Sequence, residues 1–285
     1  MKTSTSKRLR WNVAIWLAAG LFMTSTAGMA SGPILPDPKA EARHQPQVEE
    51  TANGIPLVNI TAPSSGGVSR NEYEMFNVPD KGAILNNFYT LSKTELAGYV
   101  QGNNNMAERP AKLIVNEVTG TGSTSMDGFL EVAGNRADVV IANPNGITVN
   151  GGGFINTGKA FLTTGKPVYD GEDHLQRFDI TGGDILIEGK GLGGKETESL
   201  AILSRAVKIN AGIWAKDLHI TTGANTVDAK TLEASAIEGK GGRPAFALDT
   251  AAIGGMYAGR ITLVGTEKGL GVNNSGTWSA EDNLI

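Results

Sequence analysis

A ten-residue segment recurs late in the chain. Ala211-Gly212-Ile213-Trp214-Ala215-Lys216-Asp217-Leu218-His219-Ile220 aligns with Gly254-Gly255-Met256-Tyr257-Ala258-Gly259-Arg260-Ile261-Thr262-Leu263, 43 positions on, small for small, aromatic for aromatic and apolar for apolar. Self-similarity at this range of periods marks solenoids and propellers, whose units bury their apolar faces only by stacking on a neighbour. The spacing fits one propeller blade or two solenoid turns of about 21 residues each. Short strands and the lack of a Trp-Asp blade signature favour the solenoid.

The rest of the chain agrees. From Gly54 onwards it breaks into runs of four to seven β-favouring residues, at 55–61, 112–118, 138–142, 178–181, 184–188, 206–210, 217–222 and 260–264. Gly, Asn, Asp and Thr separate them, the residues that supply left-handed or side-chain-capped turns. Several runs alternate: Leu218 and Ile220 share one strand face, as do Val207 and Ile209. The 38 glycines among 285 residues lack a strict three-residue period, which excludes collagen and makes them the turn inventory of a repetitive fold. The best helical candidates, 93–100 and 195–200, are about two turns each, too short for the crossovers of a doubly wound fold.

At the amino terminus, Lys2, Lys7, Arg8 and Arg10 precede an apolar run at 11–23 and then small residues. This is the pattern of a secretory signal over residues 1–30, cut after Ala30 or, as second choice, Ala27. A membrane anchor needs about 20 apolar residues, more than the run provides. Residues 31–50, with Pro33, Pro36, Pro38 and Pro46 among charged residues, read as a mobile leader. Without the signal, 21 of the 25 basic residues remain against 29 acids, a net charge of −8. Scattered cations in an acidic chain exclude a nucleic-acid partner. An exported chain with no cysteine must be stabilised by burial and backbone hydrogen bonding alone.

Motifs for chemistry are thin. Gly189-Lys190-Gly191-Leu192-Gly193-Gly194 satisfies G-x-G-x-x-G, but no helix follows to hold a phosphate, and so rich a glycine content yields such matches by accident. His44, His174 and His219 have no metal-ligand spacing, and His219 reads as a solvated strand residue. No G-x-S-x-G elbow occurs, and Asp170, Glu172 and Asp173 read as a solvated turn rather than a glycosidase pair. Neither a cofactor nor an enzymatic activity is expected.

The corner Asn143-Pro144-Asn145-Gly146-Ile147 is more informative: Pro144 fixes φ, Asn145-Gly146 accepts positive φ, and asparagine side chains bond to nearby backbone. It stands in an ordered series with Phe76-Asn77-Val78, Ile84-Leu85-Asn86-Asn87, Lys112-Leu113-Ile114-Val115-Asn116-Glu117-Val118-Thr119, Glu131-Val132-Ala133-Gly134 and Gly153-Phe154-Ile155-Asn156-Thr157. Over about residues 51–275 this series resembles the amino-terminal secretion domain of two-partner secretion exoproteins, the family of filamentous haemagglutinin-like adhesins and contact-dependent growth inhibition exoproteins.

The resemblance implies an all-β, right-handed parallel β-helix with an amino-terminal cap, the cap and signature turns within 51–172 and further coils over 173–285. It implies a secreted or cell-surface protein of a Gram-negative bacterium. The chain would leave the cytoplasm by the general secretion machinery, cross the periplasm, and be recognised there by a dedicated outer-membrane β-barrel transporter. The parent exoprotein would be an adhesin or a toxin carrier that meets a host or neighbouring-cell surface. Of the two signature turns, Asn143-Pro144-Asn145-Gly146-Ile147 is intact. The other falls at Asn103, Asn104, Asn105 and Met106, where Pro and Leu are replaced, implying a less rigid turn. Val149 and Gly152 hold the places of a cysteine pair found in part of the family. The alternatives are a carbohydrate-binding adhesin using Trp214 and Tyr257, whose bland reading is packing within the repeat, and a β-helix polysaccharide lyase or hydrolase.

Overall fold

Three stacks of parallel strands wind around one apolar interior. In the computed structural model, which describes residues 32–106 and 109–285, the first stack runs through Pro56–Asn59, Ala83–Asn87, Phe129–Gly134, Gly152–Ile155 and Leu192–Gly194. The second runs through Val68–Phe76, Leu113–Val118, Ala137–Ala142, Thr157–Thr163 and Ser199–Ser204. Two long strands, Gly212–Thr222 and Gly255–Gly265, extend both stacks at once, and Thr277–Leu284 closes the series. The third stack is Thr124–Met126, Ile147–Val149, Asp184–Ile187, Ala206–Ile209, Phe246–Thr250 and Gly271–Asn274. The chain visits first, second and third stack in turn, which makes a parallel β-helix. The proposed signal at 1–30 lies outside the described residues.

Period-2 alternation turns one side of every strand inward, and parallel register lines like residues up. On the third stack Ile147, Ile185, Val207 and Leu248 are successive partners, all buried. On the second, Val139, Ala160, Leu200, Leu218 and Ile261 do the same in the main core. Each large side chain so buried contributes about 1.5–3 kcal/mol, shared with the coil above and the coil below.

The 43-residue repeat is one coil, not two. Gly212 to Thr222 pair directly with Gly255 to Gly265, residue for residue at that offset. Where a coil has no insertion, neighbours on the third stack are 22 or 23 residues apart, as in Asp184 with Ala206 and Thr124 with Ile147. The surplus leaves the helix as an excursion. Lys166–Tyr169 with Leu175–Ile180, and Asn225–Asp228 with Ala234–Ala236, join as one four-stranded antiparallel sheet. That sheet covers the outer side of the second stack, burying Val115, Val140, Phe161 and Ala201 against Phe178, Ile180 and Val227. Residue 172 therefore falls inside an excursion loop, not between coils.

Residues 32–50, expected as part of a mobile leader at 31–50, are the cap. Ile34–Pro36 pairs antiparallel with Val68–Phe76, and Gln47–Glu50 antiparallel with Pro56–Asn59. The first strand of each stack would otherwise offer a bare hydrogen-bonding edge. Backbone pairing needs no apolar periodicity, proline is tolerated at such edges, and Ile34 enters the main core with Val48 packed against it. The two helical candidates are strand and turn. Ser92–Thr94 and Gly98–Val100 form a hairpin, because Glu131 accepts the N–H groups of Glu95 and Leu96 from outside the segment. Residues 195–198 turn between Leu192–Gly194 and Ser199–Ser204, and 199–200 already lie in the second strand.

Candidate functional site

The turn at Asn143 grows from the end of Ala137–Ala142. Its N–H donates to Thr163 O of the following coil at 2.9 Å, while its buried side-chain amide donates to Gly122 O and Thr124 Oγ1 of the preceding coil, both at 3.0 Å. Asn143 Oδ1 accepts the backbone N–H and the side-chain amide of Asn145, each at 2.9 Å. Gly146 N–H closes the turn onto Asn143 O at 3.1 Å, and Asn145 Nδ2 reaches Gly120 O at 2.8 Å. Gly146 has φ +114° and lies so close to Asp184 O of the next coil that a Cβ would stand 3.1 Å from it. Ile147 enters the core and Pro144 is exposed. One asparagine therefore fastens three successive coils.

The turn at Asn103 has the same pattern despite its changed residues. Asn103 is buried, donates through Nδ2 to Ile60 O at 2.8 Å and Asn86 O at 2.9 Å, and through Oδ1 accepts Asn105 N–H at 2.9 Å. Met106 N–H closes onto Asn103 O at 3.1 Å, and Asn105 Nδ2 reaches Ile60 O at 3.0 Å. Asn104 is exposed, as Pro144 is. Met106 plunges into the main core.

Other expected residues fall as follows. Trp214 and Tyr257 are paired in register and stack with ring centroids 6.2 Å apart and planes 15° apart, on the outside of the helix and more than a third exposed. Gly189 to Gly194 is a corner followed by a strand, without a helix. Val149 and Gly152 adjoin: a Cβ on Gly152 would fall 2.8 Å from Val149 Cγ1, so the apolar Val149 and Met126 fill the space a disulfide would span. His219 is half-buried, bonded to Thr221 Oγ1 at 2.9 Å, and burial pushes its imidazole below the ordinary value. Asp170 does build a turn, accepting the N–H groups of Glu172 and His174, but Asp173 points inward against the cap.

Sequence reasoning missed the polar cluster that Asp173 joins. His44, Arg70, Glu72 and Glu117 lie on the outer side of the second stack beneath Tyr169. Outward charges on a strand read as solvated, and only the excursion sheet covers them. Burial raises Glu117 to about 7 against the pull of Arg70. Among the described residues, no group of three or more His, Asp or Glu is placed to hold a metal ion, and no helix is long and apolar enough to cross a membrane.

What the two turns do is fasten one coil to the next in a capped β-helix, and that architecture defines a β-helical secretion domain. The crystal structure of the filamentous hemagglutinin secretion domain superimposes with a TM-score of 0.78 at 34% identity, covering 87% of this chain and 84% of that one. Residues 33–285 match the model of the TPS secretion domain family, and the chain belongs to that family. Curated relatives include "Toxin CdiA" of Yersinia pestis, 47% identical over 249 residues and 87% of this chain, and "Toxin CdiA" of Escherichia coli, 44% identical over 264 residues and 91% of it. "tRNA nuclease CdiA-2" of Burkholderia pseudomallei is 42% identical over 243 residues, 85% of this chain. The chain spans 8% of the length of each of these relatives. Domains of this family are transport modules, and exoproteins that carry them are secreted or cell-surface proteins of Gram-negative bacteria.

Proposed function

We infer that this chain is the export module of a contact-dependent growth inhibition toxin carrier. Residues 1–30 engage the general secretion machinery, and the remainder crosses the periplasm to a dedicated outer-membrane β-barrel transporter. That transporter reads the chain before it folds, with Asn103 to Met106 and Asn143 to Ile147 as recognition turns. Identity to the CdiA relatives, 42–47%, exceeds the 34% to the filamentous hemagglutinin domain, and this favours a toxin carrier over an adhesin as parent. The carrying observation is the match of residues 33–285 to the TPS secretion domain.

The geometry suits vectorial export. A chain without disulfides passes a pore as a thread, and each coil that emerges finds its pairing edge already formed by the coil before it. Burial of each coil outside the cell biases movement outward. Co-expression with and without the cognate transporter, followed by assay of the medium, tests the reading: transporter-dependent appearance is expected, and equal secretion without it refutes the export role. Replacing Asn145 is expected to lower export; unchanged export reduces the turn to a corner. A second reading, glycan binding, has in its favour the solvent exposure of the stacked Trp214 and Tyr257. Binding of a glycan panel by the purified domain, lost in Trp214→Ala, supports it, and no binding across the panel removes it.

A further inference from the structure

Three segments distant in sequence meet in one ion cluster outside the second strand stack. The cap supplies His44, 3% exposed, with Nδ1 3.1 Å from Glu72 Oε1 and Nε2 3.4 Å from Asp173 Oδ2. The first coils supply Arg70, Glu72 and Glu117. Glu72 and Glu117 are direct cross-strand partners, an arrangement that repels when both are ionised, and Arg70 bridges them at 2.8 and 3.5 Å. The excursion supplies Tyr169, whose ring lies 4.2 Å beneath the Arg70 guanidinium, and Asp173.

Asp173 is held in left-handed backbone at φ 58°, a conformation that costs a non-glycine residue energy and persists where its surroundings enforce it. The result is a carboxylate aimed at the cap: Arg43 Nη1 is 2.6 Å from Oδ2, His44 Nε2 shares that oxygen, and Arg70 Nη1 is 3.7 Å from Oδ1.

His44 stands between two carboxylates, Glu72 on its Nδ1 side and Asp173 on its Nε2 side. Glu72, Glu117 and Asp173 face Arg43 and Arg70, and Arg43 is shared with Glu41. A neutral imidazole owns one N–H and presents a lone pair to one of its two flanking carboxylates; the imidazolium carries an N–H on each side, hydrogen-bonded to Asp173 through Nε2 and attracted to Glu72 across 3.1 Å from Nδ1. A cavity of about 370 Å³, whose charged and titratable lining is Arg43, His44, Arg70, Glu172 and Asp173, lies against the cluster, giving water and protons a way in.

We propose that this cluster is a pH-set clasp fastening the amino-terminal cap to the first excursion, closed when His44 is protonated at both ring nitrogens and loosened when it is neutral. Glu117 works in the same sense, because its proton, favoured by burial, removes the repulsion from Glu72; Lys166 and Tyr169 are its other charged or titratable neighbours. On the export reading, Asp173 follows His44 by 129 residues, so the cap stays unfastened until the excursion has been delivered. That consequence rests on the export role; the clasp does not.

Hydrogen–deuterium exchange of the purified chain at pH 6 and pH 8.5, corrected for intrinsic rates, tests it. Amides of Gln47–Glu50 and of residues 170–174 should be about tenfold better protected at the lower pH, relative to Phe246–Thr250 as an internal reference. This pH dependence should fall to the share that Glu117 contributes in His44→Gln and also in Asp173→Asn, which alters the excursion side and leaves the cap sequence intact. Protection that is the same at both pH values in the wild type, or moves equally in the reference strand, overturns the clasp. So does a pH dependence that survives both substitutions undiminished and disappears only in Glu117→Gln, which would assign it to the Glu72–Glu117 repulsion alone. Secretion assays play no part in the readout, so the clasp and the export role fail separately.

Discussion

At Asn103-Asn104-Asn105-Met106 and Asn143-Pro144-Asn145-Gly146 the chain builds one turn from two sets of residues. In both, the first asparagine is buried and feeds its side-chain amide to carbonyls of an earlier segment, while its oxygen holds the N–H two residues on. In both, the third residue returns an amide to an upstream carbonyl and the second is exposed. They differ in what locks the fourth position. Met106 is fixed by burial in the core, Gly146 by a positive φ and close approach to the coil that follows. The hydrogen-bond scaffold thus resides in the two asparagines, and the second and fourth residues can differ between the turns without disturbing it.

Substitutions can break this comparison. Met106→Ala should destabilise by about 2–5 kcal/mol by leaving a core cavity, with no counterpart at Gly146, whose substitution acts through backbone strain instead. A loss below about 1 kcal/mol in denaturant melts would show that burial does not hold the first turn.

Neither turn contains an ionisable side chain, so pH should act elsewhere. Glu117, raised to about 7 from an ordinary 4.5, keeps a proton in the folded chain that the unfolded chain has lost. Its contribution is complete below pH 4.5 and is lost as pH rises through about 7. Across that window wild type should lose about 2–3 kcal/mol relative to Glu117→Gln in chemical denaturation, while the effects of turn substitutions stay constant. A parallel pH profile for the two proteins would remove the burial argument.

Asn103→Ala removes the donor to the carbonyls of buried Ile60 and Asn86, Asn143→Ala the donor to Gly122 O and the buried Thr124 hydroxyl, and each should cost about 2 kcal/mol. Near-equal values sharpen the equivalence of the turns; a much smaller loss at Asn103 breaks it. The smallest expected effect is a gain: Asn104→Pro, restoring the residue type of Pro144 at an exposed turn position, should raise stability by about 0.5 kcal/mol by restricting the unfolded chain, read as a rise in melting temperature.

Much of the fold could be read from local pattern. Alternation at 206–210 and 217–222, and glycine or asparagine between runs, marked strands and corners that the structure contains. The spacing of Ala211 and Gly254 marked stacking, but not that one coil plus an excursion fills it, because an excursion is recognised only by the surface it covers. The asparagine corners were legible because Asn-Pro-Asn-Gly has turn chemistry of its own. Asn104-Asn105-Met106 has less, and its equivalence comes from carbonyls at Ile60 and Asn86 that no local reading could supply.

Local sequence by itself determined the strands, the corners and the absence of long helices among the described residues, since these follow from side-chain alternation and from which residues accept turn dihedrals. Tertiary structure alone decided that residues 32–50 cap the first two strand stacks, that residues 166–180 and 225–236 supply a covering sheet, and that His44 and Asp173 meet. Each of those outcomes depends on an edge, a face or a charge contributed by a segment far away in the chain, and such a partner exists only once the coils have stacked.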